Sequence, residues 1–297
     1  MTSSNRQQGF QKYTGDDLEI SSSDSRTITD RFLTTLAFIL LGVAILPLIL
    51  VISYVIIKGF GRFNLNLFTE LPPVARQEGG GVGSAILGTL MLVGIAGAMS
   101  IPFGILAGIY LSEFSSGKVT KWIRFFTNVL SGVPSIIMGI FAYGVVVARM
   151  DQFSAFAGGF ALAVLMLPIV VRTTDEALQL VPQEVRWASV GVGASSFHTV
   201  LLIVLPAAWS AILTGITLAI ARAAGETAPL IFTVLFSQFW PDGLFGPVPT
   251  LSVLVYNFAT VPYQNQRELA WAASLILVLL VLAASIISRL IARKGTY

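Results

Sequence analysis

Phe32-Leu-Thr-Thr-Leu-Ala-Phe-Ile-Leu-Leu-Gly-Val-Ala-Ile-Leu-Pro-Leu-Ile-Leu-Val-Ile-Ser-Tyr-Val-Ile-Ile57 runs for 26 residues between Arg31 and Lys58 without a charge. A helix rising 1.5 Å per residue needs roughly 20 apolar residues to cross a hydrocarbon core about 30 Å thick, so this stretch is long enough to span a bilayer. The remaining charges then serve as rulers. Uncharged gaps of 34 residues (Glu78 to Glu113), 24 (Arg124 to Arg149), 20 (Asp151 to Arg172), 35 (Arg186 to Arg222) and 20 (Glu268 to Arg289) follow. Six spans are expected, in an all-α integral membrane protein. The uncharged stretch between Asp242 and Arg267 reads as a loop instead. It carries Pro247, Pro249, Asn257, Pro262, Gln264, Asn265 and Gln266, which would leave backbone groups unsatisfied in lipid. Residues 227–241 are apolar but only 15 in number, too few to cross, and read as a half-inserted or surface-lying segment.

The composition agrees with this reading. Of 297 residues, 55% are hydrophobic and only 11% charged, with a mean hydropathy of +0.82, where soluble domains carry about a quarter charged residues. A disordered chain and a coiled coil are excluded. A net charge of +3 without a basic stripe argues against a nucleic-acid partner. With no cysteine there is no disulfide scaffold, thiolate metal site or cysteine nucleophile. Residues 1–31 are polar and of mixed charge, unlike a cleaved signal peptide, so the first apolar helix is expected to remain in the mature protein. A six-helix domain over 32–292, with a cytoplasmic loop at about 175–199 and a short tail at 293–297, follows. An N-terminus in the cytoplasm puts 12 of the 18 basic residues inside, which favours both termini there. Many of the 27 glycines fall within the spans, among them Gly88, Gly104, Gly108 and Gly139, as close helix packing in lipid requires.

The cytoplasmic loop is unusually structured for a connector. Pro182 suits the first turn of a helix, Glu184 favours the same end, and Gly191 and Gly193 can end it. Such a helix has Val185, Ala188 and Ser189 on one side and a protruding Trp187. It is either a knob for a soluble partner or an amphipathic connector.

Trp187-Ala188-Ser189, three residues, Gly193, nine residues and then Ile203-Val-Leu205-Pro206 resemble the EAA loop of bacterial ABC importer permeases. That pattern reads Glu-Ala-Ala, three residues, Gly, nine residues, Ile-x-Leu-Pro. The resemblance implies a type I ABC importer permease (MetI-like) fold, in which the loop is the coupling helix that docks on an ATP-binding subunit. Trp187 stands where the family carries Glu, so an ion pair from that position is lost, and Glu184 or Arg186 would have to supply the charge. Leu167-Pro-Ile-Val-Val-Arg172-Thr-Thr-Asp-Glu176, Ala221-Arg222-Ala-Ala-Gly225-Glu226-Thr-Ala-Pro229 and Ser131-Gly-Val-Pro-Ser-Ile are similar to phosphate importer permeases, in particular the PstA-type subunit.

This resemblance implies a bacterial plasma (inner) membrane protein that moves phosphate and carries no ATPase chemistry itself, ATP and Mg being used by partner subunits. The implied partners are a second permease (PstC-type), two ATP-binding subunits (PstB-type) and an extracytoplasmic phosphate-binding protein (PstS-type). Permeases for sulfate or molybdate, and an ion-coupled secondary transporter, are the alternatives.

An ionisable group near hydrocarbon persists only when paired, wetted or functional. Arg172 and Glu176 are four residues apart, as are Arg222 and Glu226, so on a helix each couple shares one face. Each arginine can exchange its carboxylate for an oxyanion through a planar, bidentate contact, or simply anchor a membrane boundary. His198, the only histidine, reads as a surface or packing residue. The glycines of 79–83 lack the Gly-Lys-Ser/Thr ending of a P-loop and read as a flexible entry to the second span.

Overall fold

The computed structural model of the protein describes residues 25–114 and 117–294, with side chains from 28 to 291 within those ranges. The expected polar tail lies outside the described residues up to residue 24, as do 115–116 and 295–297. By contacts the chain forms two units, Met1–Tyr54 and Val55–Tyr297. The first contributes most of α1 (Ser25–Phe60), whose apolar side chains from Phe38 to Ile52 are exposed, as suits a helix in lipid.

Among its described residues the second unit consists of helices joined by turns and loops, with no strand. Its α-helices of eight residues or more are α2 (Gly83–Ile109), α3 (Lys118–Gly132), α4 (Ser135–Ala142), α5 (Ala155–Gln179), α6 (Gln183–Gly191), α7 (Leu205–Gly225), α8 (Leu251–Ala259) and α9 (Gln264–Lys294). A π-turn, Tyr110–Phe114, extends α2, and another, Val200–Val204, leads from Ser196–Thr199 into α7. Among the described residues, five helical segments are long and apolar enough to cross a membrane: Ile28–Phe60, Gly83–Phe114, Ala155–Gln179, Ser196–Gly225 and Gln264–Ile291. The sixth expected span is not straight. Lys118–Gly132 and Ser135–Met150 meet at 105°, so the gap between Arg124 and Arg149 is a bent pair that forms either one broken span or a re-entrant loop. Pro134 causes the break: it pushes Val133 into an extended conformation (ψ 131°) and itself starts the next helix.

α5 is the axis of the bundle. Two-thirds (67%) of its apolar window is buried, against 39% for the fifth span and 28% for the second. α2 lies so close to α5 that a Cβ added at Gly104 would come within 2.7 Å of Val170, and one at Gly108 within 2.6 Å of Thr174. Without a hydrophobic drive in lipid, this backbone approach is what holds two helices together. Leu162, Met166 and Leu178 of α5 and Ile212 of α7 are fully buried in the same core.

Of three expectations for the connecting segments, two are corrected. The stretch read as a loop between Asp242 and Arg267 contains α8, whose Leu251, Leu254 and Phe258 form a buried stripe against α9 and the start of α2. Its prolines stand outside the helix, so they frame it instead of breaking it. Residues 227–241 are half-inserted, one of the two expected readings: Leu230, Thr233 and Val234 are buried, while Ile231, Leu235, Phe239 and Trp240 are exposed. The glycines before α2 are a packed turn, not a flexible entry. Gly81 N–H donates to Leu71 O at 3.0 Å, Val82 N–H to Leu67 O at 2.8 Å, and Gly80 N–H to the Glu70 carboxylate at 3.0 Å.

Candidate functional site

The helix α6 forms where Pro182, with no N–H to lose, leads into Gln183–Gly191 and Glu184 sits in the positive first turn. It ends through a Schellman arrangement. Gly193, at φ +94°, donates to Val190 O at 2.9 Å, and Ala194 N–H donates to Ser189 O at 3.1 Å. A Cβ at this φ is strained, which accounts for glycine here.

The helix offers an apolar surface. Trp187 is 69% exposed, Val192 85%, and Val185, Val190, Leu180 and Phe197 are exposed with them, while Glu184 and Ala188 also face out. Two residues expected on this surface turn inward. Ser189 is buried with its hydroxyl 2.8 Å from that of Thr199, which ties α6 to the start of the fifth span. Arg186 binds the Glu113 carboxylate at 2.7 and 3.3 Å and donates to Leu178 O and Val181 O, so it has no fork left for a partner. Of the two charges considered for the place of the family's Glu, only Glu184 remains on the surface. Leu205 is half-buried against the main core, and Pro206 is exposed in the first turn of α7, where its missing N–H does least harm.

The intramembrane pairs differ from each other. Arg172 Nε donates to Glu176 Oε1 at 2.8 Å along α5, both side chains well exposed. Arg222 and Glu226 lie 3.6 Å apart, but not on one continuous helix face. α7 ends at Gly225 and Glu226 is extended (ψ 132°), its carbonyl accepting the Ser252 hydroxyl at 2.8 Å. The pair therefore closes across a helix end.

Besides Glu113, Arg124 and Asp175 escaped the sequence reading. Arg124 of α3 binds the buried Asp175 of α5 at 3.0 Å, and Gln179 donates to the same carboxylate at 2.7 Å. Asp175 sits between Val171 and Leu178 on the buried stripe of α5, and a carboxylate on an apolar stripe calls for a cation from another helix. Arg124, Asn128, Arg172, Asp175, Glu176 and Gln179 line one cavity of about 480 Å³. Its charged groups are mutually neutralised, yet each guanidinium has donors to spare. His198, with Ser195 Oγ 2.8 Å from its Nδ1, is an exposed surface residue.

Among the described residues, five apolar spans with a sixth, bent pair, and an exposed helix with the EAA spacing, define a membrane permease of the ABC importer class. Residues 100–296 match the family described as binding-protein-dependent transport system inner membrane component, and the chain belongs to that family. The chain is 43% identical to the phosphate transport system permease protein PstA of Yersinia pestis over 83% of this chain and 84% of that one. It is 38% identical to PstA of Haemophilus influenzae (89% and 94% covered) and 36% identical to PstA 1 of Mycobacterium tuberculosis (90% and 88%). The fold is similar to a chain of a bacterial alginate ABC transporter (TM-score 0.64, 13% identity, 91% and 97% covered). It is also similar to a chain of the inward-facing MetNI methionine transporter (TM-score 0.59, 18%, 72% and 97%).

Proposed function

We propose that this chain is the PstA-type permease subunit of an ATP-driven importer of inorganic phosphate in the bacterial inner membrane. The observation that carries this reading is the 43% identity to a PstA permease over most of both chains. The chain itself performs no hydrolysis. A PstC-type permease completes the pathway, two PstB-type subunits bind ATP and Mg, and a PstS-type protein delivers the anion. α6 is the coupling helix. Its exposed Trp187, Val190 and Val192 suit an apolar cleft on the ATP-binding subunit, and Trp187 replaces a charge with buried area.

Closure of the ATP-binding subunits draws the coupling helices together and alternates access to the pathway. Arg222 receives the phosphate dianion by exchanging Glu226 for its oxygens; at 3.6 Å that pair is loose enough to yield. The cavity at Arg124 and Arg172 provides the following polar station. Both termini lie in the cytoplasm, with 12 of 18 basic residues on that side.

Labelled phosphate uptake in cells deprived of their own importer tests the assignment. Wild type is expected to restore uptake and Arg222→Gln to abolish it with the complex still assembled, Arg222→Lys keeping only part because an ammonium lacks the fork. Recovery in Arg222→Gln with Glu226→Gln would reduce Arg222 to a counter-charge. For orientation, an impermeant thiol reagent added outside should label Gln77→Cys and spare Ser196→Cys.

A further inference from the structure

All the hydrogen bonds of Arg186 turn inward, and they end on three different elements. Nη2 and Nε grip the two carboxylate oxygens of Glu113, which lies 73 residues away in the π-turn that finishes α2. Nη2 also donates to Leu178 O at 2.8 Å, and Nη1 to Val181 O. Leu178 O lies in the last turn of α5, where Val181 N–H also reaches it at 3.2 Å, and Val181 O belongs to the connector into α6. Ser112 Oγ adds a bond to Glu113 at 3.1 Å. The side chains of Arg186 and Glu113 are only 14% and 8% exposed. A planar guanidinium meets all these acceptors at once, and neither charge has water to fall back on. One residue of the coupling helix is thus bolted to the cytoplasmic ends of both α2 and α5, which are themselves in backbone contact at Gly104 and Gly108.

We propose that Glu113 is a positioning residue for transport: with Arg186 it forms the link through which movement of α6 reaches α2 and α5 as one body. This rests on the assignment of α6 as the coupling helix. Arg186 is then a transmission element and not a contact to the ATP-binding subunit. A coupling helix that slips against α2 would still be displaced by nucleotide, but the displacement would be lost before the spans.

The test uses the whole complex in vesicles. Glu113→Gln keeps the hydrogen-bonding shape and removes the charge. It is expected to assemble, hydrolyse ATP and spend about fivefold or more ATP per phosphate imported, the lower end of ordinary coupling between sites. Arg186→Lys is expected to raise the ratio as well, since an ammonium cannot hold carboxylate and both carbonyls. An assembled Glu113→Gln complex with the wild-type ratio overturns the proposal. Where either variant lowers assembly, the absence of cysteine permits a second measurement. Glu113→Cys with Arg186→Cys, joined by a short bis-maleimide, should bring the ratio back toward wild type. A completed cross-link with no return also overturns it.

Import by the wild-type vesicles reports on the phosphate assignment separately. If they import none, that assignment fails and the link is read without substrate, from spin labels at Leu106→Cys and Gln183→Cys, both exposed positions. Their separation should stay constant through nucleotide binding in the otherwise wild-type chain and change in Glu113→Gln. Equal changes in the two would sink the link.

Discussion

Two arginine–glutamate pairs in this molecule have nearly the same length and opposite physical meaning. Arg172 and Glu176 meet at 2.8 Å, one helical turn apart, with 63% and 59% of their side chains exposed. Arg186 and Glu113 meet at 2.7 Å from distant parts of the chain, with 14% and 8% exposed. In the first pair water competes for both charges and the helix has already placed them, so the contact adds almost nothing to stability. In the second, desolvation makes each charge dependent on the other, and two backbone carbonyls accept from the same guanidinium. Distance does not separate the pairs; burial and the number of groups bonded to the arginine do.

The largest effect is therefore expected from leaving one member of the buried pair alone. Glu113→Leu strands the Arg186 guanidinium and should cost about 3–5 kcal/mol, the usual penalty for an uncompensated buried charge. The measurement is the amount of folded chain in the membrane together with its thermal unfolding in detergent. Glu113→Leu combined with Arg186→Met should recover most of the loss. A single variant as stable as wild type would mean that water reaches the pair, and the contrast with Arg172–Glu176 would collapse.

A second experiment asks whether the ion pair or the helix contact holds the end of α2. Gly108 lies five residues before Glu113, where an added Cβ would sit 2.6 Å from Thr174. Gly108→Leu should destabilise by about 1–3 kcal/mol through overpacking and lever the π-turn away from Arg186. If the same unfolding assay gives a smaller loss, the two helices are not in rigid contact there.

The contrast also explains what could be read from residue order alone. The spans were legible because lipid demands long apolar runs, and the charges mark their ends directly. The helix α6 was legible through Pro182, Glu184 and Gly193, each acting on its own backbone. Arg172–Glu176 was legible because a four-residue spacing is a local property. Arg186–Glu113 and Arg124–Asp175 were not, since each is fixed by the approach of helices remote in the chain; Glu113 and Arg124 served only as boundary marks. The same limit concealed the 105° break, although Pro134 was in view, because a charge-free gap reports length and not direction. α8 was concealed by its flanking prolines, which were counted against the stretch as a whole.

A smaller effect is expected at Gly193, where the φ of +94° is set by the Schellman ending of α6. Gly193→Leu should cost about 1 kcal/mol, the penalty for holding an L-residue in the left-handed region. Glu113 and Arg186 stay intact in this variant, so it moves the docking surface without cutting the link to α2. Hydrolysis is expected to continue while phosphate import falls, both measured in vesicles. Normal coupling would show that the helix end tolerates a shift and that α6 acts only as a connector.

The smallest stability effect belongs to the exposed pair, and there it can be separated from function. Arg172→Gln and Glu176→Gln should each leave the unfolding temperature within the scatter of wild type, because solvent replaces whatever either charge loses. A double-mutant cycle over the two should show no measurable coupling energy. Uptake is expected to behave differently. Arg172 lines the cavity that also holds Arg124, so Arg172→Gln removes one of two guanidinium groups from that polar station and should slow phosphate import in a fully stable complex. Glu176→Gln frees Arg172 from its carboxylate and should leave import intact or raise it. If both variants import at the wild-type rate, the pair is a membrane-boundary anchor and the pathway runs past it through Arg222 alone. If Arg172→Gln lowers stability as much as Glu113→Leu does, exposure is no guide to the energy of charge pairs in this bundle.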